Sequence, residues 1–141
     1  MIDIRPTQLG DIEEIIPNLR THDKKTIERL RIDPVALLRR TFENGSPMMT
    51  ATEDDVPICM WGLEKKSMLS TWMIWMLTTD EIDRHSIKFL RLSRTLVRVW
   101  AESFGTLEGM VDADFDVSVK WLRWIGFREV SDGEFKLMRY P

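Results

Sequence analysis

Ser118-Val119-Lys120-Trp121-Leu122-Arg123-Trp124-Ile125-Gly126-Phe127 is the stretch on which the reading of the fold turns. Apolar residues recur at helical spacing, run into a glycine, and give way to a phenylalanine that opens an alternating segment. The spacing predicts an amphipathic helix over 116–125, with Val119, Leu122 and Trp121 inward and Gly126 as its stop. Trp121 and Trp124 cannot both turn inward together with Leu122 and Ile125, so one tryptophan is left beside a basic surface, which suits a protein-binding patch. Residues 127–131 and 134–140 follow as two short strands, paired across the hairpin signal Asp132-Gly133. Upstream, 106–111 reads as a strand and 84–103 as the strongest helix, ended by Gly105. Phe89, Leu92, Leu96, Val99 and Trp100 form its apolar face, and Arg84, Lys88, Arg91 and Arg98 line the opposite side.

Toward the N-terminus the period becomes extended. Residues 69–77 carry apolar side chains on both faces, Trp72, Ile74 and Met76 against Met73, Trp75 and Leu77, as in a strand in the middle of a covered sheet. Residues 48–53 and 57–64 flank Asp54-Asp55-Val56 and read as a hairpin. Asp33-Pro34 opens a helix that buries Val35, Leu38 and Phe42 and closes at Asn44-Gly45. A shorter helix starts at Asp23. The chain begins with a strand over 2–5, closed by Pro6, then a helix with Leu9, Ile12, Ile16 and Leu19 inward, Thr7 as its cap and Asp11, Glu13 and Glu14 near its positive end. Strand, helices, three antiparallel strands, long helix, strand, helix and hairpin together describe an α/β sandwich with a mixed sheet.

The 141 residues suit a single domain, 1–141. With 43% hydrophobic and 30% charged residues and only 7 Gly and 6 Pro, the composition excludes collagen-like, low-complexity and disordered chains. The longest wholly apolar stretch, 72–77, falls far short of the roughly 20 residues of a membrane-spanning helix. No basic start followed by an apolar segment marks a secretory signal, so a cytoplasmic location is expected. The single cysteine, Cys59, excludes an intrachain disulfide and a multi-cysteine zinc site, and reads as a buried structural thiol. His22 and His85 stand far apart without spaced carboxylates, which gives no metal site. A net charge of −3 gives no reason to expect nucleic-acid binding.

This order of elements, with Ile4-Arg5-Pro6 at the start and 118–127 near the end, resembles the GNAT superfamily of acyl-CoA-dependent N-acyltransferases over almost the whole chain. Ile125-Gly126-Phe127 is similar to the leucine-glycine-phenylalanine close that precedes the family's last strands. The short length and residues 115–138 also resemble the small acetyltransferase-like internal virion proteins of short-tailed phages. The resemblance implies a GNAT-like α/β fold, a mixed, mostly antiparallel sheet flanked by helices, in which the central strand and the next splay apart around the thioester of acetyl-CoA or coenzyme A. It assigns the acyl group to the end of the central strand, Leu77 and Thr78, and the pyrophosphate to Arg84, His85, Ser86 and Lys88 at the start of the long helix.

Three positions depart from the family pattern. In Arg84-His85-Ser86-Ile87-Lys88-Phe89, Ile87 and Phe89 stand where the pyrophosphate loop has its small residues, and Leu122 stands where the family has its tyrosine acid. Glu108 and Tyr140, the only tyrosine, are then the candidate catalytic groups, while Asp116 reads as a helix cap, Asp112 and Asp114 as loop acids, and His85 as exposed or capping. Two readings stand: an acyl-CoA-dependent N-acyltransferase acting on an amine substrate with weak or absent activity, or a non-catalytic phage virion or assembly protein that uses the scaffold for protein contacts. They imply an amine substrate or a protein partner, with a homo-oligomer or virion as the assembly, and place the chain in the host cytoplasm or virion if it is phage-encoded.

Overall fold

Helical and extended periods alternate along the chain where the sequence places them. The computed structural model describes residues 2–65, 71–112, 115–131 and 133–140, with only the backbone of Ser86, Asp116 and Val117. In order, it contains β1 (Ile2–Pro6), α1 (Leu9–Ile15) continued by a 3-10 turn at Ile16–Asn18, α2 (Thr21–Arg29), α3 (Pro34–Glu43), β2 (Met48–Glu53), β3 (Val56–Lys65) and β4 (Thr71–Thr78). A 3-10 segment at Asp80–His85 leads into α4 (Ser86–Phe104), followed by β5 (Thr106–Asp112), α5 (Asp116–Ile125), β6 (Arg128–Ser131) and β7 (Phe135–Tyr140). The strands order β1-β2-β3-β4-β5-β7-β6 in a seven-stranded sheet, the mixed, mostly antiparallel α/β arrangement expected. Residues 66–70, 113–114 and 132 lie outside the described residues, and with them the expected start of β4 at 69, Asp114 and the first turn residue of the last hairpin.

Two compact units divide the chain, Met1–Glu64 with Met76–Arg84, and Lys65–Trp75 with His85–Pro141. In the first, β1 pairs antiparallel with β2 from Ile2–Glu53 to Pro6–Met49, and β2 with β3 around a bulge at Ala51/Thr52. Asp54 and Asp55 form the hairpin tip, both at positive φ (49° and 68°). Ile12, Ile15, Leu38, Ile58, Met60 and Leu63 are buried core. Asp33 caps α3 by accepting from the Ala36 amide, and Gly45 closes it at φ 73°. Thr7 does not cap α1, because Gln8 holds the N-cap position and the Thr7 hydroxyl shares a buried hydrogen bond with Thr50. Asp11 supplies the capping contact instead: its carboxylate accepts from the Gln8 amide at 2.8 Å and from both terminal nitrogens of Arg5. Burial pushes its pKa up, yet the bonds from Arg5 and Gln8 outweigh that and hold it below the ordinary value.

In the second unit β7 lies antiparallel between β5 and β6. α4 buries Phe89, Ser93 and Val97, and Trp121 of α5 donates to the Ser93 hydroxyl at 3.2 Å, locking the two helices together. Val99 is a correction: it is 46% exposed, since Val97 and Ser93 take the inward positions. Trp121 and Leu122 are half-buried, whereas Trp124 is 47% exposed.

Gly126 ends α5 at φ 127°, and a Cβ there would stand 2.9 Å from the Tyr140 ring, so glycine is required twice over. The Tyr140 ring in turn packs on Phe127 at 5.4 Å between centroids. Ile125-Gly126-Phe127 is therefore a corner built around the last strand.

Candidate functional site

β4 and β5 run parallel and pair over Thr71–Thr106, Trp72–Leu107 and Met73–Glu108, where the ladder ends although β5 continues to Asp112. Ile74 still lies against Gly109, where an added Cβ would meet it at 3.4 Å. Trp72 contacts Phe104 of α4, so the Leu107 side of this pair faces that helix, and alternation turns Glu108 to the opposite face. Glu108 is 2% exposed and accepts from Arg139 Nε at 3.0 Å and Nη2 at 2.8 Å. Register places that arginine directly opposite on β7. The candidate base thus stands on the last rung of the parallel ladder, and one of its carboxylate oxygens, Oε2, accepts both arginine bonds in a charge-assisted ion pair.

The end of β4 is held in the first unit. Thr78 donates its amide to Asp23 Oδ2 at 2.9 Å, its carbonyl accepts from the Arg20 amide at 2.9 Å, and its hydroxyl donates to the Thr79 carbonyl. Asp23 Oδ2 also forms an ion pair with Arg20, whose Nε lies 3.3 Å away. Thr79 donates both amide and hydroxyl to the Ile58 carbonyl on β3. The backbone groups of Thr78 are satisfied within the chain, so a ligand reaching its amide must displace Asp23. Asp23 does not start a helix; it lies in the first turn of α2, buried and aimed at β4. Leu77, half-buried on the same strand, is the neighbouring position.

Arg84 is exposed and paired with Glu81 at 2.8 Å. His85 is half-buried at the N-cap of α4, without a side-chain capping bond, and no acidic residue lies in the first turn. The opening amides of this helix of 19 residues thus meet neither a capping side chain at His85 nor a first-turn acid. Lys88 is exposed. The two residues at the glycine positions behave differently: Ile87 is 68% exposed, whereas Phe89 is buried against Trp121, so Phe89 belongs to the core. The Ser86 side chain is outside the described residues.

Tyr140 lies on the corner described above, and Leu122 carries no proton-donating group. Asp112 is not a loop acid: it is the buried last residue of β5. Asp116 is the first helical residue of α5, and Phe115 holds the cap position. Cys59 is fully buried, and desolvation, helped by the charge of Asp23, pushes its thiol pKa up. Among the described residues no group of His, Cys, Asp or Glu is arranged to hold a metal ion, and no helix is long and apolar enough to cross a membrane. The sequence reading missed Arg139 and Asp23. Arg139 becomes visible only once the β5–β7 register is known, and Asp23 has the ordinary look of a helix-start acid.

No family model and no curated protein matches the sequence. Solved structures match the fold. An N-acetyltransferase from Staphylococcus aureus is similar with a TM-score of 0.72 at 15% identity, covering 99% of this chain and 96% of that one. The PaiA N-acetyltransferase from Thermoplasma acidophilum, solved in complex with coenzyme A, gives 0.73 at 15% identity over 99% and 98%. The Salmonella typhimurium YncA protein, solved with acetyl-CoA as its cofactor, gives 0.65 at 13% identity over 99% and 92%. The chain therefore has the fold of the GNAT N-acetyltransferases.

Proposed function

We propose that this chain is an acyl-CoA-binding, N-acyltransferase-like protein whose transfer activity is weak or absent. The observation that carries the reading is the parallel β4–β5 pair, whose ladder stops at Met73–Glu108 while β5 runs on, followed by α4, in a fold that PaiA and YncA use with coenzyme A and acetyl-CoA. The start of α4, whose N-cap residue makes no side-chain capping bond, supplies the anion contacts together with Arg84 and Lys88. In the reaction the amine nitrogen attacks the thioester carbonyl, the C–N amide bond forms, the C–S bond breaks, and the proton released by nitrogen goes to the leaving thiolate. Leu122 at the tyrosine position and the Arg139-bound carboxylate of Glu108 leave that proton without a positioned donor, which costs about 10²–10⁴ in rate.

Thermal unfolding with coenzyme A tests this. A Kd of about 10⁻⁴ M stabilises the chain by about 1.4 kcal/mol at 1 mM ligand, a rise of several degrees in Tm. Lys88→Ala and Arg84→Ala should each reduce the rise. No rise at 1 mM overturns cofactor binding and leaves the second reading, a non-catalytic virion or assembly component acting through protein contacts. Leu122 and the Thr78–Asp23 bond favour that second reading.

A further inference from the structure

We propose that the outer faces of α4 and α5 form a docking surface for a short acidic segment of another polypeptide. On α4, Arg91, Arg94 and Arg98 are exposed, and their spacing keeps them within about a sixth of the helix circumference. No Asp or Glu occurs from Ser86 to Ala101 to offset them. On α5, Lys120, Arg123 and Trp124 are exposed. The Arg94 guanidinium sits 5.0 Å from the centre of the Trp124 ring, which joins the two faces into one surface.

Among the described residues Arg91, Arg94, Arg98 and Lys120 form no ion pair, and Arg123 reaches only Glu129, at 3.8 Å. The inner faces of the same helices are fixed by Phe89 against Trp121 and by the Trp121–Ser93 bond, so the outer side chains project from a rigid base. The cationic surface belongs to a chain whose net charge is −3.

Charge complementarity sets the partner's sign, and the dimensions set its class. From Arg91 to Arg98 the helix rises about 10 Å, the length of about three extended residues. A half-exposed tryptophan among arginines is the composition of an interface hot spot. Single-stranded nucleic acid instead takes successive aromatic platforms, and here one exposed ring stands alone among the cations; the acidic remainder of the chain also repels a long polyanion. The surface does not depend on acyl transfer, and it leaves out Arg84 and Lys88.

The test uses the full chain and a fluorescein-labelled peptide of twelve residues, alternating Asp and Glu around one Leu, read by anisotropy. The same peptide with Asn and Gln, and a twelve-nucleotide dT strand, are the comparisons. Arg91→Glu with Arg98→Glu should weaken the acidic peptide at least tenfold, Trp124→Ala about threefold, and a rise from 50 to 200 mM salt several-fold. If the doubly reversed chain melts early, Arg91→Gln with Arg98→Gln should still lose about fivefold. Equal binding of the neutral peptide, an unchanged Kd in the arginine variants, or tighter binding of the dT strand overturns the proposal.

Discussion

Replacing Gly126 by alanine tests whether the corner between α5 and β6 is built as described. Gly126 sits at φ 127°, a backbone conformation that costs an L-residue about 1–3 kcal/mol. The new Cβ would also stand 2.9 Å from Tyr140 Cε2 and 3.3 Å from Cδ2, so the ring must retreat by about half an ångström to reach ordinary contact. That movement disturbs the 5.4 Å Phe127–Tyr140 pair, which is worth about 0.5–1.5 kcal/mol beyond its burial. The sum is about 1.5–4.5 kcal/mol, to be read from urea unfolding followed by circular dichroism. Gly45→Ala provides the reference, because Gly45 has φ 73° with nothing within 4 Å of an added Cβ and so carries the backbone cost alone. In a Tyr140→Ala background Gly126→Ala should cost about 1 kcal/mol less than in the parent chain. A cost below 1 kcal/mol in the parent, or an equal cost in both backgrounds, would refute the corner argument.

Tyr140→Phe keeps the ring and removes a hydroxyl that makes no hydrogen bond among the described residues, so stability should change by less than about 0.5 kcal/mol. Any acetyl transfer onto an amine should also survive it; a loss of 10² or more would reinstate Tyr140 as the acid. The Asp11 carboxylate has its folded pKa held below the unfolded value of about 3.9, so its contribution is complete above that value and disappears as pH falls through the folded one. Asp11→Asn should therefore cost about 1–3 kcal/mol at pH 6 and progressively less as the pH is lowered below about 4, measured by urea titration across that range. Cys59, buried with a raised pKa, should react with a thiol reagent at pH 8 only as fast as the chain unfolds; rapid labelling of the native protein would contradict its placement.

Local signals carried most of the fold. Gly105, Gly126 and Asn44-Gly45 end helices because positive φ is a local demand that glycine meets cheaply, and Asp33-Pro34 opens one for an equally local reason. The two-sided apolar pattern of β4 announced a central strand, which stands between β3 and β5. Errors arose where a residue's role is set by something distant. Thr7 had the chemistry of a cap but is claimed by Thr50, and Val99 yields the inward position to Val97 because α4 is rotated to suit Ser93 and Trp121. The candidate site was legible as positions and not as states. Glu108 and Thr78 could be placed on their strands, but that Arg139 and Asp23 occupy them depends on partners 31 and 55 residues away.

The Asp54-Asp55 tip has a practical meaning. Neither residue is glycine, yet both hold a left-handed backbone at the exposed end of the hairpin, a conformation that costs an L-residue and that matches the twist of the flanking ladder. Loop closure becomes dearer only slowly with length, so a few glycines and serines spliced in at this spot should be accepted with the chain still native. A label or affinity handle can therefore be inserted at that tip, leaving both chain ends untouched.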